Sequence, residues 1–290
     1  MKNDLHVRTN FSASASKEWD WQKVLQKCQE EKIERLAITD FDTCLFHVIN
    51  KIFDTSPYFM GQIISGMECD VCENGVTFEL LAYNFEPFKT LTWSYETYGT
   101  LSMRQTKIKN ILLDTAKAQQ IAVDTSIPFN GKAEFAHNYV YDCMKKCKEN
   151  EQFFEKFNIK NASDFYNAST KQADFPLYVN MSQVFPSVKS VVDFIHSVGG
   201  FVALAQPFRS KNKDNIEFLL KTSLAAGVDG IEVYHPTHTP DDIQYLLNYC
   251  KQNNLIVTGG SNFNGKPDYM EVGIKNIDED EKEILQGMSI

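Results

Sequence analysis

Short apolar runs alternate with longer stretches of helical periodicity along most of this 290-residue chain. Short runs rich in β-branched and other apolar side chains predict strands, whereas apolar residues repeated every three or four positions predict helices. Strands that alternate with helices of ordinary length are typical of βα units around a mostly parallel sheet or barrel. In such folds the chemistry lies at the carboxyl ends of the strands. The predicted strands are 36–39, 77–83, 201–205, 230–234 and 255–258, and the predicted helices are 21–32, 188–198, 215–226 and 241–253.

The middle of the chain has a different pattern. Residues 108–178 are rich in Lys, Glu, Gln and Asn, with helical periodicity over 135–149 and 152–157 and no run typical of a strand. This pattern predicts a helical insertion between two halves of one α/β domain. We therefore expect a first barrel part at 1–107, a helical insertion subdomain at 108–178 and a second barrel part at 179–290.

Composition narrows the classes of partner. The net charge of -9 argues against binding of duplex nucleic acid, which needs a basic surface. No segment approaches the apolar length that spans a bilayer, and the first residues contain no apolar signal core, so we expect no membrane partner and a cytoplasmic protein. No protein partner can be read from the sequence.

Polar side chains recur where the predicted strands end. His6 and Arg8 are two residues apart, so they lie on one face of the first strand. One histidine near a strand end is more often a hydrogen-bonded polar residue than a ligand, but several strand ends that converge in one ring favour a site. The other strand-end residues are Asp40 and Asp42 in "AITDFDT", Glu68 in "SGMECD", Gln206 in "ALAQP", His235 and His238 in "YHPTH", and Asn262 and Asn264 in "TGGSNFNG".

In this order the segments resemble the polymerase and histidinol phosphatase (PHP) family of metal-dependent phosphoesterases. The resemblance extends over nearly the whole chain, and it is closest to the branch that hydrolyses nucleoside bisphosphates and short RNAs. It implies a distorted seven-stranded βα barrel with a cluster of two or three divalent metals, commonly zinc, manganese or iron, which activates water. The segments are "DLHVRTNFSAS", "LAITDFDT", "SGMEC", "GKAEFAH", "GGFVALAQP", "GVDGIEVYHPTH" and "TGGSNFNGKP".

The resemblance implies that three of the family's metal ligands are kept and that the others are replaced. Phe41 has no donor atom, and the permanent positive charge of Arg8 repels a divalent ion. Asn and Gln offer only a weak neutral oxygen, so Glu134 is the one credible replacement. The kept ligands are His6, Asp40 and Glu68, and the other substituted positions are Arg8, Phe41, Gln206, Asn262 and Asn264.

Loss of the metals is consistent with the presence of Arg8, because a cation is needed beside the retained carboxylates. We expect a noncatalytic protein with a degenerate metal site and no cofactor, which binds a phosphate-containing small molecule by charge-assisted hydrogen bonds. A second interpretation, weighted equally, makes Arg8 only a structural partner of Asp40 and Glu68. The residues expected to bind phosphate are Arg8, Lys132, Arg209 and His238.

Two other classes of function stay open at this point. One is an active phosphoesterase, acting on nucleotides or short RNA, with a single zinc, manganese or iron ion and with His235 or His238 as the acid. The other is an interaction protein that binds a partner through aromatic residues of the insertion. The single ion would be held by His6, Asp40, Glu68 and Glu134.

Overall fold

A computed structural model describes residues 2–274 except Ser14, Ala133, Ser210 and Lys211. Residues 275–290, the end of the predicted second barrel part, lie outside the described residues. The chain divides into two compact units. The first contains Met1–Val71, Phe78–Glu96 and Ser187–Ile290, and the second contains Cys72–Thr77 and Thr97–Pro186.

Seven strands form one sheet in which spatial order follows sequence order. Pairs β1–β2, β2–β3, β5–β6 and β6–β7 are parallel, whereas β4 pairs antiparallel with β5. Val7 forms a parallel bridge with Phe263, so the loop after β7 nearly closes the sheet into a barrel. The predicted distorted seven-stranded α/β barrel is confirmed. The strands are β1 (Asn3–Val7), β2 (Arg35–Ile38), β3 (Gln62–Glu73), β4 (Val76–Tyr83), β5 (Phe201–Leu204), β6 (Gly230–Tyr234) and β7 (Ile256–Gly259).

Helices connect the strands of the first unit, and their ends carry the expected signals. The Asp20 side chain caps the helix that begins at Trp21 by accepting from the Lys23 backbone amide at 2.9 Å. Thr239 and Asp242 form a capping box at the start of the helix that begins at Pro240. The helices α1 (Trp21–Glu30), α2 (Leu45–Ile52), α3 (Pro87–Tyr98), α8 (Val188–Ser197), α9 (Ile216–Ala226) and α10 (Pro240–Asn253) belong wholly or mainly to this unit.

The second unit is helical apart from the tip of the β3–β4 hairpin. Its core packs aromatic and aliphatic side chains such as Val140, Phe165 and Leu177. Residue 108, the predicted start of the insertion, lies inside the continuous helix α4. The helices are α4 (Leu101–Ala118), α5 (Ala136–Lys145), α6 (Glu151–Lys156) and α7 (Ala162–Lys171). Among the described residues, no helix is both long and apolar enough to cross a membrane.

The structure corrects the predicted position of Glu68, which the sequence suggested would follow a strand ending near residue 66. Strand β3 instead continues to Glu73, so Glu68 lies inside it. The chain after β2 extends the pairing, because the Asp42 amide donates to the Glu68 carbonyl at 2.7 Å. Gly66 permits this approach, since a Cβ atom there would lie 2.7 Å from the Ile38 carbonyl oxygen.

The Asp4 side chain links β1 to the chain segment that follows β7. Its buried carboxylate accepts the Ser261 amide at 2.9 Å and the Gly273 amide at 2.6 Å. Both donors follow β7, whereas Asp4 lies in β1. Burial raises the pKa of Asp4, and these hydrogen bonds oppose the rise. The first strand is thus tied to the segment that contains "TGGSNFNG".

Candidate functional site

The ring of His6, in β1, is buried between two buried carboxylates. Its Nδ1 atom lies 2.8 Å from Oε1 of Glu232, and its Nε2 atom lies 3.2 Å from Oε2 of Glu68. Gly260 packs on this residue, because a Cβ atom there would lie 2.4 Å from the backbone nitrogen of His6. Burial alone would lower the pKa of His6, but the charges of Glu232 and Glu68 outweigh burial and raise it to about 9.

Arg8 directly follows β1, and its side chain is 3% exposed. Its Nε atom donates to Oε2 of Glu68 at 2.7 Å, and its Nη2 atom donates to the same oxygen. The Nη2 atom also lies 3.1 Å from Nε2 of His6. The guanidinium carbon lies 4.7 Å from the centroid of the Phe41 ring, which gives a cation–π contact. The guanidinium therefore lies beside both His6 and Glu68.

Glu68 is held in its ionised form by these neighbours. Burial alone would raise the pKa of Glu68, but the charges of Arg8 and then His6 outweigh burial and lower it to about 2. Its other oxygen, Oε1, accepts from Nε2 of Gln206 at 3.1 Å. Two basic side chains, His6 and Arg8, therefore lie against the two buried carboxyl groups of Glu68 and Glu232.

Asp40 has a different set of partners from Glu68. Its two oxygens accept from the backbone amide and the hydroxyl of Thr9, each at 2.7 Å. Burial raises the pKa of Asp40 to about 6, although the Thr9 hydrogen bonds and the charge of Arg8 oppose this rise. Arg8 pairs with Glu68, whereas Asp40 is bonded by Thr9.

Three of the substituted positions are amides that lie after strands β5 and β7. Gln206 and Asn262 have φ angles of 38° and 56°, a left-handed conformation that is costly for a residue other than glycine. The backbone N–H of Gln206 donates to Oε2 of Glu232 at 2.8 Å. Side-chain atoms Oε1 of Gln206 and Oδ1 of Asn262 are buried and have no partner among the described residues. Oδ1 of Asn264 accepts from the Lys266 amide at 2.9 Å.

His235 and His238 line a cavity of about 340 Å³ beside the ends of β6 and β7. His238 contacts the Val233 carbonyl oxygen through Nδ1 at 2.8 Å, and its Nε2 atom accepts from the Phe208 amide at 3.3 Å. Burial lowers the pKa of both histidines, and the charge of His6 lowers that of His235 further. Both rings are therefore neutral near pH 7. Because His238 Nε2 is an acceptor, it has no proton to donate as an acid.

The remaining predicted residues are more exposed or belong to the second unit. Arg209 is half-buried, and its charge adds to the lowering of the His235 pKa that burial begins. In the second unit, Lys132 is exposed, and the Glu134 amide donates to the Asn130 carbonyl at 2.9 Å. The predicted roles of Lys132, Glu134 and Arg209 stay predictions.

Glu232 is the site residue that the sequence analysis missed. It is fully buried in β6, where its carboxylate contacts both His6 and the Gln206 amide. A signal was present, because "GIEVY" places a carboxylate at the centre of an apolar strand. A buried charge in such a place needs a charged or hydrogen-bonded partner.

The predicted ligand set does not fit a metal between His6 and Glu68. The Arg8 guanidinium already contacts both side chains there, and Phe41 covers it. A divalent ion at this place would have to displace a buried cation from its carboxylate. The described residues do contain one group suited to a metal, formed by His6, Glu232 and His235, whose ligand atoms lie within 4.8 Å of one another.

Two solved structures resemble this chain over nearly its whole length. One, from Bifidobacterium adolescentis, is named as a candidate metal-dependent phosphoesterase; it is 21% identical with a TM-score of 0.60, over 98% of this chain and 95% of that chain. The other, an amidohydrolase from Chromobacterium violaceum with bound sulfate and no metal, is 18% identical with a TM-score of 0.60, over 94% and 91%. Neither a family model nor a curated protein matches the sequence. At these identities the likeness establishes the fold, which this chain shares with a phosphoesterase-like and an amidohydrolase structure.

Proposed function

We propose that this chain is a PHP-type barrel that has given up metal-dependent ester hydrolysis of the family kind and binds a small phosphate-containing molecule at the barrel mouth. The observation that carries the proposal is the buried contact of the Arg8 guanidinium with Glu68, beside His6. In this account Arg8 supplies the positive charge that a metal supplies in the related enzymes. We expect a phosphate-containing ligand because the motifs of this chain resemble the branch of the PHP family that acts on nucleoside bisphosphates.

Charge balance supports the loss of the family's metal cluster. A guanidinium cannot lose its proton in a protein, so Arg8 stays positive at every relevant pH. Breaking a buried ion pair by removing one partner costs about 3–5 kcal/mol. An ion that entered between His6 and Glu68 would have to offset a cost of this order. The substitution of Phe41 for a donor residue removes one of the contacts that could offset it.

Cations near the strand ends support binding of an anion. Lys17 is close enough to Asp40 to oppose the burial-driven rise of the Asp40 pKa, and Lys266 is close to Lys17. Arg209 lies outside the lining of the cavity, but it acts electrostatically on His235, which does line the cavity. The charged residues of that lining are Asp268 and Glu271. The volume of about 340 Å³ is within the range of small-molecule pockets, roughly 300–1,000 Å³. The C. violaceum structure, which holds sulfate without metal, is an example of anion binding by a similar fold.

In this proposal Arg8 neutralises the site and the more exposed Arg209 contacts the phosphate. The atoms of Gln206 and Asn262 that lack a partner among the described residues are the acceptor oxygens Oε1 and Oδ1, so a water or a ligand hydroxyl, rather than a phosphate oxygen, would satisfy them. Such buried polar atoms without a partner call for a bound water, ion or ligand.

Calorimetry tests the binding proposal. The full chain, in the presence of a chelator, is titrated with a nucleoside bisphosphate, a nucleoside monophosphate, a sugar phosphate and inorganic phosphate. We expect at least one organic phosphate to bind below millimolar concentration, and Arg209→Gln to weaken it about tenfold, the loss of one charge-assisted hydrogen bond. Lys189→Gln, on the exposed face of α8, is the matched control. Absence of heat for every compound at millimolar concentration contradicts the proposal.

A second candidate function is an active phosphoesterase with a reduced metal site. The group formed by His6, Glu232 and His235 favours it, because two imidazoles and one carboxylate can hold a catalytic ion. Phosphate release from the same compounds, with added Zn²⁺, Mn²⁺ or Fe²⁺, separates the two candidates. Release that is abolished by His235→Asn would support the enzyme, whereas release at the level of the buffer supports the binding protein.

A further inference from the structure

We propose that His6, Glu232 and His235 form a binding site for one divalent transition metal on the Nδ1 side of the His6 ring. All three side chains are buried, and one ligand atom from each lies within 4.8 Å of the others. Two of the three, Glu232 and His235, were not among the ligands that the sequence implied. The site goes beyond the proposed phosphate binding, which does not need a metal.

The contact between His6 and Glu232 has a spacing that suits a shared ion. Nδ1 and Oε1 are 2.8 Å apart. Two ligand atoms each about 2.1 Å from a tetrahedral zinc ion are about 3.4 Å apart. An ion can therefore replace the proton between these two atoms if they separate by roughly 0.6 Å.

His235 supplies a third donor that lacks any other partner. Its Nε2 atom is buried and makes no hydrogen bond with the described residues. Its Nδ1 atom accepts from the Thr237 backbone amide at 3.2 Å and lies 2.8 Å from the Thr237 hydroxyl. Binding of an ion at Nε2 requires the other tautomer of the ring, in which Nδ1 carries the proton and donates to this hydroxyl. Ligating histidines are held in the same way, with the second ring nitrogen donating to a fixed oxygen.

The Arg8 pair is compatible with an ion at this place because it lies on the other side of the imidazole. The Nε2 atom of His6 faces Glu68, whose charge Arg8 neutralises. With a metal on Nδ1, Nε2 carries the proton and donates to Glu68, as in the carboxylate–histidine–metal arrangement. The ring of His6 thus separates the guanidinium from the proposed ion.

The donor set and the surroundings indicate the class of ion. Two imidazole nitrogens and one carboxylate suit zinc and the neighbouring divalent ions, which are poorly held by neutral amides. His235 also lines the cavity of about 340 Å³, together with Gly260 and Ser261. A metal can therefore enter from the cavity, and solvent or a ligand can complete its coordination there.

Titration of the full chain with Co²⁺ and Zn²⁺, in competition with a chromophoric chelator, tests the site. We expect one ion per chain and a loss of affinity of about 100-fold or more in His235→Asn, since even outer-sphere partners of a ligand are worth about 10–100-fold. His238→Asn is the matched control, because its ring lies 5.3 Å from that of His235 but is bonded to Val233 and Phe208. We expect this control to change affinity by less than about threefold, by the same comparison.

The outcomes are distinct from those of the phosphate experiment, which is done with a chelator. Failure to bind Co²⁺ or Zn²⁺, or equal loss in His235→Asn and His238→Asn, overturns the metal site and leaves the phosphate proposal intact. If either variant fails to fold, Co²⁺-loaded wild-type crystals provide the test. Anomalous density among His6, Glu232 and His235 supports the proposal, and its absence there contradicts it.

Discussion

Replacement of Arg8 by methionine should destabilise the first unit, because Glu68 would keep its buried charge without its strongest partner. Removal of one member of a buried ion pair costs about 3–5 kcal/mol. The pKa of Glu68 gives a similar magnitude. Its fall from 4.5 to about 2, at about 1.4 kcal/mol for each pKa unit, corresponds to about 3 kcal/mol, of which Arg8 supplies the largest part.

The assay is urea unfolding at pH 7 followed by tryptophan fluorescence. All three tryptophans, Trp19, Trp21 and Trp93, belong to the first unit, so the signal reports this unit alone. The double variant Arg8→Met/Glu68→Gln should lose less stability than the sum of the two single variants. Lys189→Met, which breaks an ion pair that is about 60% exposed, should cost below about 1 kcal/mol and is the control.

The pH dependence has a defined sign. Glu68 has a lowered pKa in the fold, so its contribution to stability is complete above about pH 4.5 and is lost as the pH falls through about 2. The loss of stability caused by Arg8→Met should therefore become smaller below pH 4.5. The pairing that underlies the proposed function is refuted if Arg8→Met lowers the free energy of unfolding by less than about 1 kcal/mol at pH 7. It is also refuted if Arg8→Met costs the same in the Glu68→Gln protein as in the wild type.

Three further predictions concern stability. Asp40→Asn should stabilise the fold by about 1–3 kcal/mol at pH 7.5 and by less at pH 5, because the raised pKa of about 6 makes the ionised carboxyl costly in the fold. Equal free energies of unfolding for this variant and the wild type at pH 7.5 would contradict the prediction. Because burial lowers the pKa of His47 to about 4, only the unfolded chain protonates this residue between pH 6.5 and pH 4, and His47 should contribute a loss of up to about 3 kcal/mol of stability over this range. His47→Gln should flatten the curve of stability against pH, and an unchanged slope would exclude this cause. Gly260→Ala should cost about 1–3 kcal/mol or more, because its Cβ atom would meet the His6 backbone; urea unfolding identical to wild type would show that the contact is absent.

Much of the fold was readable from the sequence because buried strands leave short apolar runs. The segments 230–234 and 77–83 gave strands within a residue of those observed, β6 and β4. The length of β3 was not readable, since "MECD" continues a strand with mixed polarity. Its pairing with the chain after β2 depends on contacts with Asp40 and Asp42, which are distant in sequence.

The site was predictable in its location but not in its pairings. The structure brings His6, Arg8 and Glu68 together, although Glu68 lies inside β3 and not at a strand end. The carboxylate with which Arg8 pairs depends on side-chain orientations, which cannot be read from the sequence. Glu232 was missed because it is not among the ligands implied by the resemblance, although a carboxylate inside an apolar strand is itself a signal.

A crystal structure of protein prepared with excess Zn²⁺ and measured at the zinc absorption edge tests the central claim most directly. The account predicts guanidinium density from Arg8 on Glu68 and no anomalous peak between Nε2 of His6 and Glu68. Any zinc peak at the strand ends should lie on the other side of the ring, among His6, Glu232 and His235. A zinc ion that bridges His6 and Glu68, with Arg8 turned away, would contradict the account.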